Sequence, residues 1–209
     1  MDDWDLALAL ATVDTPASRI ALVDALGRDD LQAAAHEALL VLGPSVAPTL
    51  AGRLREDPTH IPAITLLGAM RDVGSVPLLD RLAASPAVPV RRAALVALAA
   101  IGDVRARPTF LAHVDDPDAS IALVATDALL GLATAADVPR LEAWLPDSVD
   151  VRRRRVLEAL LHADAARAAA ILAAEVAAPP VAVGPQGLVL VRLPAEVAVL
   201  AADALDGHG

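Results

Sequence analysis

Four short segments of the chain superimpose on a single proline: "VAPTLAGRL", "SVPLLDRLA", "ARPTFLAHV" and "DVPRLEAWL". The prolines are Pro48, Pro77, Pro108 and Pro139, spaced 29, 31 and 31 residues apart. Two residues after each comes a large apolar side chain: Leu50, Leu79, Phe110 or Leu141. A register held over so long a stretch marks a repeat architecture, in which each unit buries its apolar face against the next. A proline tolerated at fixed phase belongs in the first turn of a helix, where the missing N–H has no intrahelical acceptor to lose.

A longer segment precedes each proline segment: "AAHEALLVLG", "AITLLGAMRD", "ALVALAAIGD" and "VLEALLHADA". Apolar residues recur in it at three and four positions, the helical period. Asp72, Asp103, Asp137 and Asp164 stand near the openings of the helices that follow. They are predicted N-caps, a carboxylate there accepting from free backbone N–H groups. "EDP", "ASP" and "DDP", at Pro58, Pro86 and Pro117, mark the joints. The unit is therefore helix, tight turn, helix, about every 30 residues. The predicted fold is all-α: a right-handed α-solenoid of stacked helix pairs over residues 30–178, preceded by a capping helix pair over 1–29. Residues 179–209 break the pattern with "APPVAVGPQG" and form a predicted C-terminal cap. There "PVAV" and "LVLV" can pair as a short β-hairpin and Pro194–Leu205 reads as a helix. Trp4 is expected to seal the N-terminal end.

Composition narrows the function classes. Hydrophobic residues make up 56% of the 209, yet Trp4, Phe110 and Trp144 are the whole aromatic complement, so Ala, Leu, Val and Ile must build the core. The absence of cysteine removes disulfides, thiolate catalysis and Cys-ligated zinc. A net charge of −10 opposes affinity for polyanions. All cations apart from histidine are arginine, which with the alanine excess reads as the codon usage of a GC-rich genome. The acidic start "MDDWDLALAL" predicts no secretory signal, and no apolar run reaches the ~20 uninterrupted residues of a membrane span. A cytoplasmic protein is expected.

The segment Val88–Asp118, "VPVRRAALVALAAIGDVRARPTFLAHVDDPD", resembles HEAT repeats, in particular the short bacterial HEAT-like repeats also found in phycobilisome-linker lyases. The resemblance covers roughly residues 30–178. It implies that the second helices line an inner, partner-binding surface. It also implies that the Val-Arg step is structural, its guanidinium bridging to acids or carbonyls of the neighbouring unit. That step occurs at Arg91, and again at Arg152 within the run Arg152–Arg155. Only Arg154 and Arg155 are then additional, and Glu158 lies four and three residues on. From Asp137 to Arg167 six acids balance six arginines, so the run is not a basic face for nucleic acid.

No other constellation points to catalysis or to a cofactor. "HEALLVLG" at His36 resembles the His-Glu motif of deoxyhypusine hydroxylase, a di-iron HEAT-repeat enzyme, but the equivalent positions are Leu95 and Val96, then Val156 and Leu157. His60, His113, His162 and His208 share no spacing that would place two on one helix face. The "DDPD" joint lacks the glycine and terminal glutamate of a calcium loop. The expected function is non-enzymatic binding of another protein or peptide, without nucleic acid, membrane or metal. The alternative, from the resemblance, is a lyase-like chaperone for a tetrapyrrole or other small molecule; a HEAT-like nucleic-acid-processing protein is a weaker third. The expected partner surface is a ladder on the second helices: Arg53, Asp80, Arg81, His113, Arg140, Glu142 and Trp144. Arg91, Arg152, Asp72, Asp103, Asp137 and Asp164 are expected to be structural.

Overall fold

The computed structural model describes residues 3–145 and 150–177. Every regular element among them is helical. The first helices of successive pairs are α1 (Asp3–Val13), α3 (Gln32–Leu42), α5 (Ile61–Ala69), α7 (Val88–Ile101), α9 (Ala119–Gly131) and α11 (Asp150–Ala163). The second helices are α2 (Pro16–Ala25), α4 (Ala47–Glu56), α6 (Val76–Ala83), α8 (Arg107–His113), α10 (Val138–Trp144) and α12 (Ala165–Ala177). Short 3-10 turns lead into α4, α6, α8 and α10. The fold is an all-α array of helix pairs of the α-solenoid class. The hairpin expected from "PVAV" and "LVLV", and the helix expected at Pro194–Leu205, lie outside the described residues.

The proline register has a direct structural meaning. Pro48, Pro77, Pro108 and Pro139 are each the second residue of α4, α6, α8 or α10. There the ring's fixed φ suits the helix and the lost N–H has no acceptor to forgo. Two residues on, just over half a helical turn, Leu50, Leu79, Phe110 and Leu141 face inward, and all four are buried. Burial of each such side chain contributes about 1.5–3 kcal/mol.

Two compact units divide the chain after Leu132. In the first, α1 and α2 both pack on α3, and α7 lies between α5 and α9. The seam between α5 and α7 is a close one. Gly68 is buried in α5, and a Cβ added to it would stand 2.6 Å from Ala97 Cα and 2.8 Å from Ala97 Cβ on α7. Backbone meets backbone there because neither side offers more than a methyl group. α7 stops at Gly102, whose φ of 71° is the left-handed C-terminal conformation that glycine adopts without strain. In the second unit α11 packs on α10 and α12, around Leu141, Val156, Leu157, Leu160 and Ala168.

Trp4 differs from its expected role. It is 53% exposed and its indole borders a surface hollow instead of closing the end of the core. The apolar contacts made by the inner face of α1 come from Ala7 and Ala11.

Candidate functional site

The polar residues near the joints are spent on geometry. Asp103 opens the 3-10 turn before α8, its carboxylate accepting from Arg105 N at 2.8 Å. The Arg105 guanidinium, the largest cause, holds that carboxyl below the usual range. Asp164 accepts from Arg167 N at 2.9 Å at the start of α12. Asp72 also stands at an N-cap, but its carboxylate takes the Ser75 hydroxyl. Asp137 works in the other direction. Thr134 opens that turn, and buried Asp137 reaches back to accept from Thr134 N–H at 2.8 Å and Thr134 Oγ1 at 2.9 Å. The arrangement is a capping box in which the acid occupies the third position and the threonine the cap.

Arg91 ties two joints together. Its Nε and Nη2 donate to Asp116 Oδ2 and Oδ1 at 2.9 and 3.2 Å, and Nη1 donates to the Ser85 carbonyl at 2.9 Å. The two side chains are only 13% and 6% exposed. Asp116 also accepts from Asp118 N at 2.9 Å, and the Arg91 guanidinium holds its carboxyl below the ordinary range. In the arginine run, Arg153 donates to the Leu145 carbonyl at 2.8 Å and Arg154 pairs with Glu158 at 3.0 Å. The Arg152 side chain lies outside the described residues.

The second-helix ladder separates by unit. In the first, Arg53 stands 3.7 Å from Asp24, and Asp80 accepts from the Thr109 hydroxyl at 2.8 Å. His113 Nδ1 lies 2.8 Å from the Thr109 carbonyl, and Arg81 is exposed. In the second unit Glu142 is bonded to Arg167, which keeps its carboxyl below the usual range. Arg140 is exposed and Trp144 half-buried.

His60 is a buried polar group of a different kind. It caps α5 through its ring, Nδ1 accepting from Ala63 N at 3.2 Å. Only the neutral imidazole can do this. Burial, and next the Arg53 guanidinium, push its pKa down, while Asp57 and Asp24 oppose them.

Much of the exposed apolar surface lies elsewhere, on the first helices, with Ile20, Val73 and Val104 exposed besides. Trp4 and Leu8 of α1, Val41 of α3, Ile61 of α5, Val96 of α7 and Leu123 of α9 are all exposed, Val41 to 71%. Two hollows open on this side. One, of about 420 Å³, is bordered by Trp4, His36 and Glu37 on one side and Ile61 and Thr65 on the other. The second, of about 510 Å³, lies between α5 and α7, with Ile61 and Thr65 again on its edge and Arg92 and Val96 opposite. Sequence reasoning weighed Trp4 as an end seal and His36 with Glu37 as a motif, and passed over the others. Their one signal is that "IPAITLLGA", the whole of α5, contains no charged residue although it has a solvent face. Among the described residues no group of three or more His, Asp or Glu side chains could hold a metal ion, and no helix is long and apolar enough to cross a membrane.

The family described as HEAT repeats matches residues 47–129 and, in an overlapping register, residues 75–161. No curated protein matches the chain. Proteins built of HEAT repeats are in general protein-interaction scaffolds. The repeated proline, the buried position two residues beyond it and the stacked helix pairs fall inside the matched span, which covers more than half of the sequence, and the chain belongs to the HEAT-repeat family.

Proposed function

We propose that this chain is a non-enzymatic scaffold that binds another protein or peptide. The observation that carries the reading is the row of large apolar side chains left in water along the first helices, from Trp4 to Leu123. Contiguous exposed apolar groups mark interaction surfaces, and here Trp4 and Ile61 border one hollow and Ile61 and Val96 the other. The ionisable residues near the joints support the same reading, since Asp103, Asp116, Asp137 and Asp164 are occupied with caps and cross-joint bonds. The second helices supply further contacts, through Arg53, Asp80, Arg81 and His113 in the first unit and Arg140, Glu142 and Trp144 in the second. The negative charge favours protein partners over nucleic acid, and the proposed place of action is the cytoplasm.

The test is affinity purification of the tagged chain from cells of its source, followed by reconstitution of the complex from purified components. One protein recovered in stoichiometric amount and rebound in vitro is the expected result. Trp144→Ala should weaken that complex while leaving the circular dichroism and the melting profile unchanged. A purified chain that turns over a substrate, or that retains no protein partner, contradicts the proposal. Early melting of Trp144→Ala would instead assign the indole to the core.

A further inference from the structure

We propose that the hollow bordered by α1, α3 and the start of α5 receives an arginine side chain of the partner protein, its guanidinium stacked on Trp4 and paired with Glu37. This rests on the scaffold reading and names the chemistry of one anchor. The hollow, about 420 Å³, belongs wholly to the first unit. α1 packs on α3, and Trp4 of α1 borders the hollow together with Gln32, His36 and Glu37 of α3. Ile61 and Thr65, one turn apart on α5, close the other side.

The groups on this hollow select a cation that donates hydrogen bonds. Trp4 is one of two indoles in the chain and is 53% exposed, so its ring is open to a ligand. The negative face of an indole attracts a cation within about 6 Å of the ring centre. Glu37 is exposed and makes no ion pair or side-chain hydrogen bond to any described residue. The Thr65 hydroxyl donates to the Ile61 carbonyl at 3.1 Å, so its proton is engaged and its oxygen is left as an acceptor. An anion in the hollow would face the Glu37 carboxylate. A wholly apolar occupant would take water from that carboxylate and return no hydrogen bond. Between the two cationic side chains, arginine fits better than lysine. Its guanidinium is planar, stacks on an aromatic ring, meets a carboxylate with two parallel N–H donors and is more weakly hydrated than an ammonium. Its methylene stem would lie against apolar Ile61. The net charge of −10 adds a longer-range attraction for a basic partner segment.

The test titrates the full, isotope-labelled chain with acetyl-arginine amide, acetyl-lysine amide, acetyl-citrulline amide and acetyl-leucine amide. Citrulline keeps the shape of arginine without its charge. The chain gives two indole N–H resonances, and Trp4→Phe identifies the one that belongs to Trp4. Arginine should shift that resonance saturably, with a Kd in the millimolar range, and leave the Trp144 resonance in place. Citrulline and lysine should bind about fivefold more weakly. Glu37→Gln should weaken arginine binding by a similar factor with circular dichroism unchanged, because the residue is exposed and unbonded. An unmoved Trp4 resonance, equal affinity for arginine and either lysine or citrulline, tighter binding of leucine than of arginine, or indifference to Glu37→Gln overturns the inference. The scaffold reading is judged separately, by the captured partner. A partner that rebinds Glu37→Gln as tightly as the unaltered chain upholds the scaffold and overturns the arginine anchor.

Discussion

Removing the Arg91 guanidinium gives the most discriminating test of how the array is held together. Arg91→Ala deletes two bonds to Asp116 and one to the Ser85 carbonyl. It leaves a carboxylate 6% exposed with a single backbone donor, Asp118 N–H. Breaking a fully buried pair by removing one partner costs about 3–5 kcal/mol. The retained donor and the partial exposure of the arginine reduce this, so the expected loss is about 2–4 kcal/mol, read by urea denaturation at 222 nm. The double-mutant cycle with Asp116→Ala separates contact from context. Once the acid is gone the arginine keeps only the Ser85 and Pro86 carbonyls, so the double variant should lie short of the summed single losses, with a coupling of about 1.5–3 kcal/mol. Arg154→Ala is the internal control, since its partner Glu158 lies one turn away and the two side chains are 49% and 39% exposed. Such a pair contributes about 0–0.5 kcal/mol. Equal losses from Arg91→Ala and Arg154→Ala, or a coupling near zero, would refute the claim that Arg91 joins successive units.

Two further tests use the first unit alone. His60 caps α5 only when neutral, and its folded pKa lies below the unfolded value of about 6.5. Its contribution to stability should therefore be complete above that pH and decline as the pH falls toward the lowered value, whereas His60→Asn, which keeps a capping acceptor without a titrating ring, should flatten the urea midpoint between pH 7 and 5. Gly68→Ala should destabilise by about 1–3 kcal/mol, because the new methyl meets the Ala97 backbone, while Gly52→Ala, with nothing within 4 Å, should stabilise by up to about 1 kcal/mol; matching signs would contradict the close seam.

What the sequence disclosed and what it hid divide along the range of the interactions. The proline register and the buried slot at Leu50, Leu79, Phe110 and Leu141 are legible because a missing N–H and a helical period act within one turn. The Val-Arg step singles out Arg91 only by resemblance, and its partner Asp116 lies 25 residues on. Asp137 reads as a forward cap from spacing alone, since only the turn geometry shows that Thr134 takes the cap and the acid reaches back. The apolar hollow between α5 and α7 was illegible for another reason. In helices made of Ala, Val, Leu and Ile the inward and outward faces carry the same residue types, so no polar stripe records which side meets water.

The contact of Gly68 with Ala97 carries a consequence for the thermodynamics of association. In the hollow between α5 and α7 the floor is made where Gly68 meets Ala97, and the walls are side chains with one rotatable bond or none, alanines, Pro89, Val96 and Thr65, with Ile61 little freer. Immobilising a rotamer-rich side chain at an interface costs about 0.5–1.5 kcal/mol each, and apart from Arg92 this surface has almost none to immobilise. A ligand here would meet a site already in its bound shape. Its entropic penalty would fall on the ligand, so a rigid ligand should gain affinity over its flexible parent by nearly the full free energy of preorganising it.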